Sequence, residues 1–254
     1  MIQIRLAWPC REEFRQDLYR PGVISLTRIL WGSLGGGLAL ALMALACRTT
    51  GVAVLYPPLA ATCFIGAACP HLRVARPRQA VAGHLLSAIA GVAAVALGGA
   101  LAGDQPDIAV PLKLGLAVAL AAALMQICDA DHPPAAATAA IPAILPLPVE
   151  PWLLPLHMAW GGMLASLIAL GWNRLWFDFP PPEAEGCPAC LGLRQGRAET
   201  VGLALCLAGL LGMAARPLSP ALYGVGLALM ALGGAVLALQ HFSGAMLQPG
   251  QRRE

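Results

Sequence analysis

The stretch "DADHPPAAATAA", residues 129 to 140, places two carboxylates, an imidazole and two adjacent prolines directly after a long apolar run. An imidazole can carry a proton or a positive charge near neutral pH, and a neighbouring carboxylate can exchange that proton or stay solvated. Pro133 and Pro134 suit the first turn of a helix: their φ is already helical, and the amide hydrogens they lack would find no partner there. A helix can therefore begin at membrane depth with His132 as its N-cap and few unsatisfied donors. The positive end of its dipole favours an anion. The groups placed to meet one are His132, the amide of Ala135, and Thr138 about a turn and a half further on. Asp129 and Asp131 stand at the mouth of this arrangement, where a carboxylate can cap the helix, exchange a proton with His132 or be solvated; Asp129 reads as solvated.

The pattern occurs twice. "YPPLAAT" at 56 to 62 matches "HPPAAAT" at 132 to 138 in five of seven positions, 76 residues apart. Tyr56, Pro57, Pro58, Leu59 and Thr62 are thus the counterparts of His132, Pro133, Pro134, Ala135 and Thr138. Each threonine can face a solute or bond back to a carbonyl of its own helix. A weaker match between "AGHLLSAIAG" at 82 to 91 and "PLHMAWGGML" at 155 to 164 puts His84 and His157 in corresponding places. No nucleophile with a base, no carboxylate pair and no metal-ligand cluster points to an enzyme, a cofactor or a bound metal. "CPAC" at 187 to 190 is a lone CxxC in a loop rich in Pro and Gly, a weak signal for redox or zinc chemistry.

The elements that hold these residues are membrane spans. Of the 254 residues, 58% are hydrophobic and 11% charged, with the apolar residues in blocks long enough to cross a bilayer. Such a composition excludes an ordinary soluble domain, and nothing suggests a nucleic-acid partner. The charged N-terminal stretch does not read as a secretory signal peptide. Long spans are expected over about 29 to 47, 80 to 101, 111 to 128 and 152 to 172. Shorter apolar stretches follow the double prolines, over 57 to 69 and 133 to 145. A final pair covers 200 to 214 and 220 to 240. Each short stretch is roughly 20 Å of helix, too little to cross alone.

Charge placement decides whether the short stretches dip or cross. With the N-terminus inside and every stretch crossing, thirteen of the sixteen Lys and Arg residues fall inside, and only Arg48, Lys113 and Arg216 outside. The short stretches therefore read as broken crossings, entered through "GVAVLY" and "CDADH". The chain divides into an N-terminal segment (1–28), a transmembrane core (29–172) made of two three-crossing units (29–101 and 111–172), a cytoplasmic loop (173–197) and a C-terminal hairpin with its tail (198–254). An odd number of crossings inverts the second unit relative to the first, a common plan of secondary transporters. The expected fold is an all-α membrane bundle with inverted repeats. The inversion predicts two polar layers, His132 with His84 towards the cytoplasm and Tyr56 with His157 towards the outside, with the pathway between the facing ends of the broken helices.

"HPPAAATA" after an apolar helix, with "YPPLAATCFIGAACPHLRVARPRQAVAGHLLSAIAG" upstream, closely resembles the HPP family of integral membrane proteins over about residues 25 to 172. The family's His-Pro-Pro motif maps onto His132, Pro133 and Pro134, and its Pro-Arg and Gly-His positions onto Pro77, Arg78, Gly83 and His84. The chain departs from the family pattern at Ala136 and at the acids Asp129 and Asp131. The resemblance implies four transmembrane segments, the number usually given for the family, and nitrite transport, with which chloroplast and cyanobacterial members are associated. The leading expectation is thus a multi-pass inner-membrane transporter or channel for a small solute, an inorganic anion such as nitrite first among them. A different class is a membrane scaffold whose glycine-rich faces, including Gly32, Gly36 and Gly233, bind partner helices or a second copy. A third is a redox protein using Cys187 and Cys190.

Overall fold

The computed structural model describes residues 3–5, 23–103, 105–177 and 196–247. Two three-residue strands, β1 (Gln3–Arg5) and β2 (Val23–Ser25), pair in parallel beside the first helix. The rest is an all-α bundle: α1 (Leu26–Thr50), α2 (Pro57–Ala68), α3 (Pro77–Ala102), α4 (Pro106–Ile127), α5 (Pro133–Ile144), α6 (Leu154–Phe177), α7 (Arg197–Ala214) and α8 (Pro220–Leu247). All but α2 and α5 are long and apolar enough to cross a membrane. The chain is a multi-pass membrane protein. Both expected short helices are present, each with its two prolines in the first turn and Tyr56 or His132 as N-cap.

Close glycine contacts fix the sense of each helix. A Cβ at Gly32 would stand 2.8 Å from that of Ala68, and one at Gly36 would stand 3.3 Å from the Phe64 backbone, so α1 and α2 are antiparallel. Gly83 faces His132 and Gly91 faces Ala139, so α3 and α5 run in parallel. Ser87 bonds Met125 while Gly98 meets Lys113, which makes α3 and α4 antiparallel. Gly161 meets Leu59 and Gly66 meets Ala169, so α6 runs with α2. The two short helices thus run in opposite senses, as do the three-helix sets that contain them. Each short helix packs on the first helix of its own set and on the third helix of the other, all of these long. The chain therefore has two ends: a first with residues 71–78 and 128–132, and a second with residues 51–56, 146–148 and 215–223.

The short helices overlap side by side rather than meeting tip to tip, a correction to the expected pathway between facing ends. The reason is length. The helix α2 rises about 18 Å and residues 52–56 reach at most about 17 Å more, together close to the roughly 37 Å of α1. Thr62 thus lies about 26 Å from the second end, about 9 Å of helix beyond Tyr56 and about 9 Å short of Ala68 at the first end. The glycines expected to offer faces to partners are used within the chain: Gly32 and Gly36 seat α2, and Gly233 lies against Cys206 and the Gly202 carbonyl in the α7–α8 hairpin.

The first end is held by charge. The helix α4 finishes with Asp129 at φ 54°, its amide donating to the Gln126 carbonyl and that of Ala130 to Met125. Glycine usually fills this left-handed position. Here aspartate does, because its carboxylate accepts hydrogen bonds from Arg73 and, at 3.2 Å, from Arg78. Asp129 is thus ion-paired, where the sequence suggested solvation. Arg78 is 7% exposed and also donates to the carbonyls of Cys128 (3.0 Å) and Leu237 (3.4 Å), joining α3 to the α4–α5 loop and to α8. Partial burial pushes the Asp129 carboxyl up, but hydrogen bonds and charge from Arg73 and Arg78 outweigh it and hold the group below its ordinary range.

The packing and the ion pair can each be tested. Gly91→Val should lower stability in detergent by about 1–3 kcal/mol or more, since its side chain would strike the Ala139 backbone, whereas Gly115→Ala should not, having open space; thermal unfolding of the two variants checks this. Asp129→Asn keeps a residue that tolerates positive φ and removes the charge. It should cost on the order of 1 kcal/mol, reduced by the exposure of the carboxylate. Because the folded carboxyl titrates low, this stabilisation is fully present above about pH 4 and is lost as pH falls through the depressed value. The wild type and Asp129→Asn should converge in acid; a gap that persists there contradicts the ion-pair assignment.

Candidate functional site

Three helices bring four polar side chains together inside the bundle, towards the first end. Thr62 comes from α2, His84 from α3, Thr138 from α5, and His132 from the N-cap of α5. The Thr62 Oγ1 lies 2.8 Å from His84 Nε2 and 2.9 Å from His132 Nε2. The other His84 nitrogen, Nδ1, is 2.8 Å from Thr138 Oγ1, and His132 Nδ1 is 2.7 Å from the Val74 carbonyl. The imidazole rings meet edge to face with centroids 5.2 Å apart. His84 and Thr138 are 0% exposed and His132 1%. Gly83 makes the approach possible, since a Cβ there would stand 2.8 Å from the His132 Cβ.

The partners determine where the hydrogens are. A carbonyl only accepts, so His132 carries its hydrogen on Nδ1 and donates it to Val74. In the neutral ring Nε2 then accepts, and the Thr62 hydroxyl donates to it. The Thr62 oxygen accepts in turn from His84 Nε2–H. His84 Nδ1 is left as an acceptor for the Thr138 hydroxyl. The result is one directed chain, Thr138 to His84 to Thr62 to His132 to Val74. Thr62 has a second acceptor, the Pro58 carbonyl at 3.2 Å. One rotation of its hydroxyl therefore exchanges the bond across the site for the bond back to its own helix.

The four members of the cluster, with Pro133 and Pro134 forming the start of α5, were all named from sequence. Other expected residues do not join it. The Ala135 amide donates to the His132 carbonyl at 2.8 Å, and the Leu59 amide to Tyr56 at 3.0 Å, so neither is open to an anion. Asp131 is half-exposed with no polar partner among the described residues. The outer layer is built differently from expectation. His157 Nδ1 donates to the Ala53 carbonyl (3.2 Å), and its Nε2 accepts from the Tyr223 hydroxyl (2.7 Å), with no bond to Tyr56. Tyr56 instead lines a cavity of about 420 Å³ at the second end, walled by residues 51–55, Cys47, Pro146 and Pro148. Its hydroxyl is buried without a hydrogen-bond partner among the described residues.

Sequence reasoning missed Tyr223, Arg216 and the Val74 carbonyl. Arg216 lies over the Tyr223 ring, 5.2 Å from its centroid, and donates to the Gly51 carbonyl. Neither the hairpin nor a backbone oxygen carries a motif. Cys187 and Cys190 lie outside the described residues. Among the described residues no three His, Cys, Asp or Glu side chains gather as metal ligands.

No curated protein and no solved structure matches the chain. The family described as "HPP, transmembrane region" matches residues 21–180, which takes in β2, α1 to α6 and every member of the cluster. With well over half of its length covered, the chain belongs to the HPP family of transmembrane proteins.

Proposed function

We propose that this protein is a transporter or channel for a small solute, with an inorganic anion such as nitrite as the leading candidate, and that it is not an enzyme. The observation that carries the reading is the buried His84–Thr62–His132–Thr138 chain where two opposed, broken helices overlap. Ionisable groups buried within membrane spans are costly and are candidates for solute or proton pathways. The cavity supports the reading too. It opens at the second end with Tyr56 in its wall, and Tyr56 is about 9 Å of helix from Thr62. A solute would enter the cavity, meet Tyr56 and then reach the histidines. Since the amides at both helix starts are spent, an anion would depend on side chains for its partners.

The first end is the cytoplasmic face in this reading. It gathers Arg28, Arg73, Arg76, Arg78, Arg174 and Arg197, while Arg48, Lys113 and Arg216 lie towards the second. That makes the protein a multi-pass inner-membrane protein with a cytoplasmic N-terminus. The scaffold alternative is weakened by Gly32, Gly36 and Gly233, which are already packed against the protein's own helices.

Uptake of labelled small anions into vesicles containing the purified protein tests the proposal. Transport should fall at least tenfold in both His132→Ala and Thr62→Val, because either change cuts the chain between the two histidines. No flux for any solute tested would favour the scaffold. Topology has its own check: a cysteine placed at Arg76 should be labelled by a membrane-impermeant reagent only after cells are opened. Labelling of intact cells would overturn the assigned sidedness.

A further inference from the structure

The hydrogen-bond chain has a property that solute transport alone does not require. In its neutral form every donor and acceptor has one assignment, set at one end by the Val74 carbonyl. An added proton must therefore displace a hydroxyl hydrogen from a ring nitrogen. On His132 Nε2 this is simple: the Thr62 hydroxyl turns its hydrogen to the Pro58 carbonyl, and the Thr62 oxygen accepts from both rings. On His84 Nδ1 the Thr138 hydroxyl would have to turn away, and among the described residues its hydrogen bond is to His84 alone, with no counterpart of the Thr62–Pro58 bond. We propose that the Thr138–His84–Thr62–His132 chain holds a single exchangeable proton, resident on His132, and that a monovalent inorganic anion crosses together with that proton.

The charges around the site explain the coupling. A protonated His132 is a buried cation at a helix N-terminus, the end that already carries positive potential. At the same end of the bundle, Asp129 is committed to Arg73 and Arg78, and Arg76 and, on α7, Glu199 lie nearby. Asp131, beside His132 in sequence, is half-exposed. The packed helices add no acid: α5 brings no titratable group, α2 brings only Cys63, α3 brings Arg78 and His84, and α6 brings His157 and Arg174 towards its two ends. No buried carboxylate among the described residues compensates the proton. An anion arriving from the Tyr56 cavity does, so each favours the binding of the other by the same factor. The balance is one proton and one anion in, one proton and one anion out, with no net charge moved. The Thr62 hydroxyl returns to His132 Nε2 when the site empties.

This rests on the transport reading, and two measurements separate the claims. The first is a ¹⁵N NMR titration of histidine-labelled full-length protein in lipid, run on the wild type, Thr62→Ser and Thr62→Val. His132 should appear as the Nδ1–H form and His84 as the Nε2–H form, with one proton taken up by the pair in the wild type and in Thr62→Ser. In Thr62→Val, folded as judged by gel filtration, the pair should titrate as two separate sites. Separate titration in the wild type overturns the shared proton, as does a Thr62→Val titration that matches it. The second measurement follows internal pH in phosphatidylethanolamine–phosphatidylglycerol vesicles on addition of nitrite or nitrate, corrected for leak through protein-free vesicles. One proton should enter per anion, a coupling retained in Thr62→Ser and lost in Thr62→Val. Anion flux with no proton movement overturns the coupling and leaves the transport reading standing. No flux of either anion removes both, while the titration still decides whether the shared proton exists.

Discussion

An irregular backbone inside a membrane protein must find its hydrogen-bond partners within the protein, because lipid supplies none. The rest of this structure depends on how that constraint is met around α2 and α5. Double prolines remove donors at the start of each short helix. Polar side chains then meet the carbonyls left open by the breaks: His157 takes Ala53, His132 takes Val74, Asn173 takes Gly66, and Arg216 takes Gly51. Arg78 serves Cys128 where α4 ends. Most of the polar residues in the spans are thus explained by the backbone they satisfy, each bond worth on the order of 1 kcal/mol and costly to leave unmade.

His84 stands apart from this explanation. Both of its ring nitrogens meet hydroxyl groups, Thr62 on one side and Thr138 on the other. No open carbonyl requires it, and a leucine in its place would bury well. Its position between threonines of the two opposed short helices makes it the junction through which one three-helix set contacts the other in polar terms. His132 has both roles, satisfying Val74 with one nitrogen and Thr62 with the other. The directed chain arises because a structural bond at Val74 dictates the tautomer that the rest must follow.

Much of this is legible in the residues themselves. Proline pairs mark helix starts for a steric reason, so the boundaries at Pro57 and Pro133 are readable to the residue. The 76-residue repeat of "PP…AAT" carries the inverted arrangement, since an odd number of crossings between copies reverses the second. His132, His84, Thr62 and Thr138 stand out as polar groups in apolar surroundings. Their pairing does not, because it depends on the lateral offset between α2 and α5, which follows from packing on other helices: Gly83 and Gly91 seat α5 on α3, and Gly161 and Gly66 seat α2 on α6. Asp129 does not read as an ion-paired helix end because a left-handed end normally shows itself as glycine. Tyr223 and Arg216 are illegible because their partners, one histidine on a distant helix and one backbone oxygen, leave no pattern in the sequence.

One hydrogen-bonded junction at His84 ties the two opposed short helices together, and the rest of the site follows from it. Thr62 and Thr138 do not bond each other, and they sit on different helices. A double-mutant cycle on unfolding free energy with Thr62→Val and Thr138→Val therefore measures the junction itself. The two substitutions should show an interaction of at least about 0.5 kcal/mol, transmitted through His84. Strict additivity of the two losses would contradict the junction.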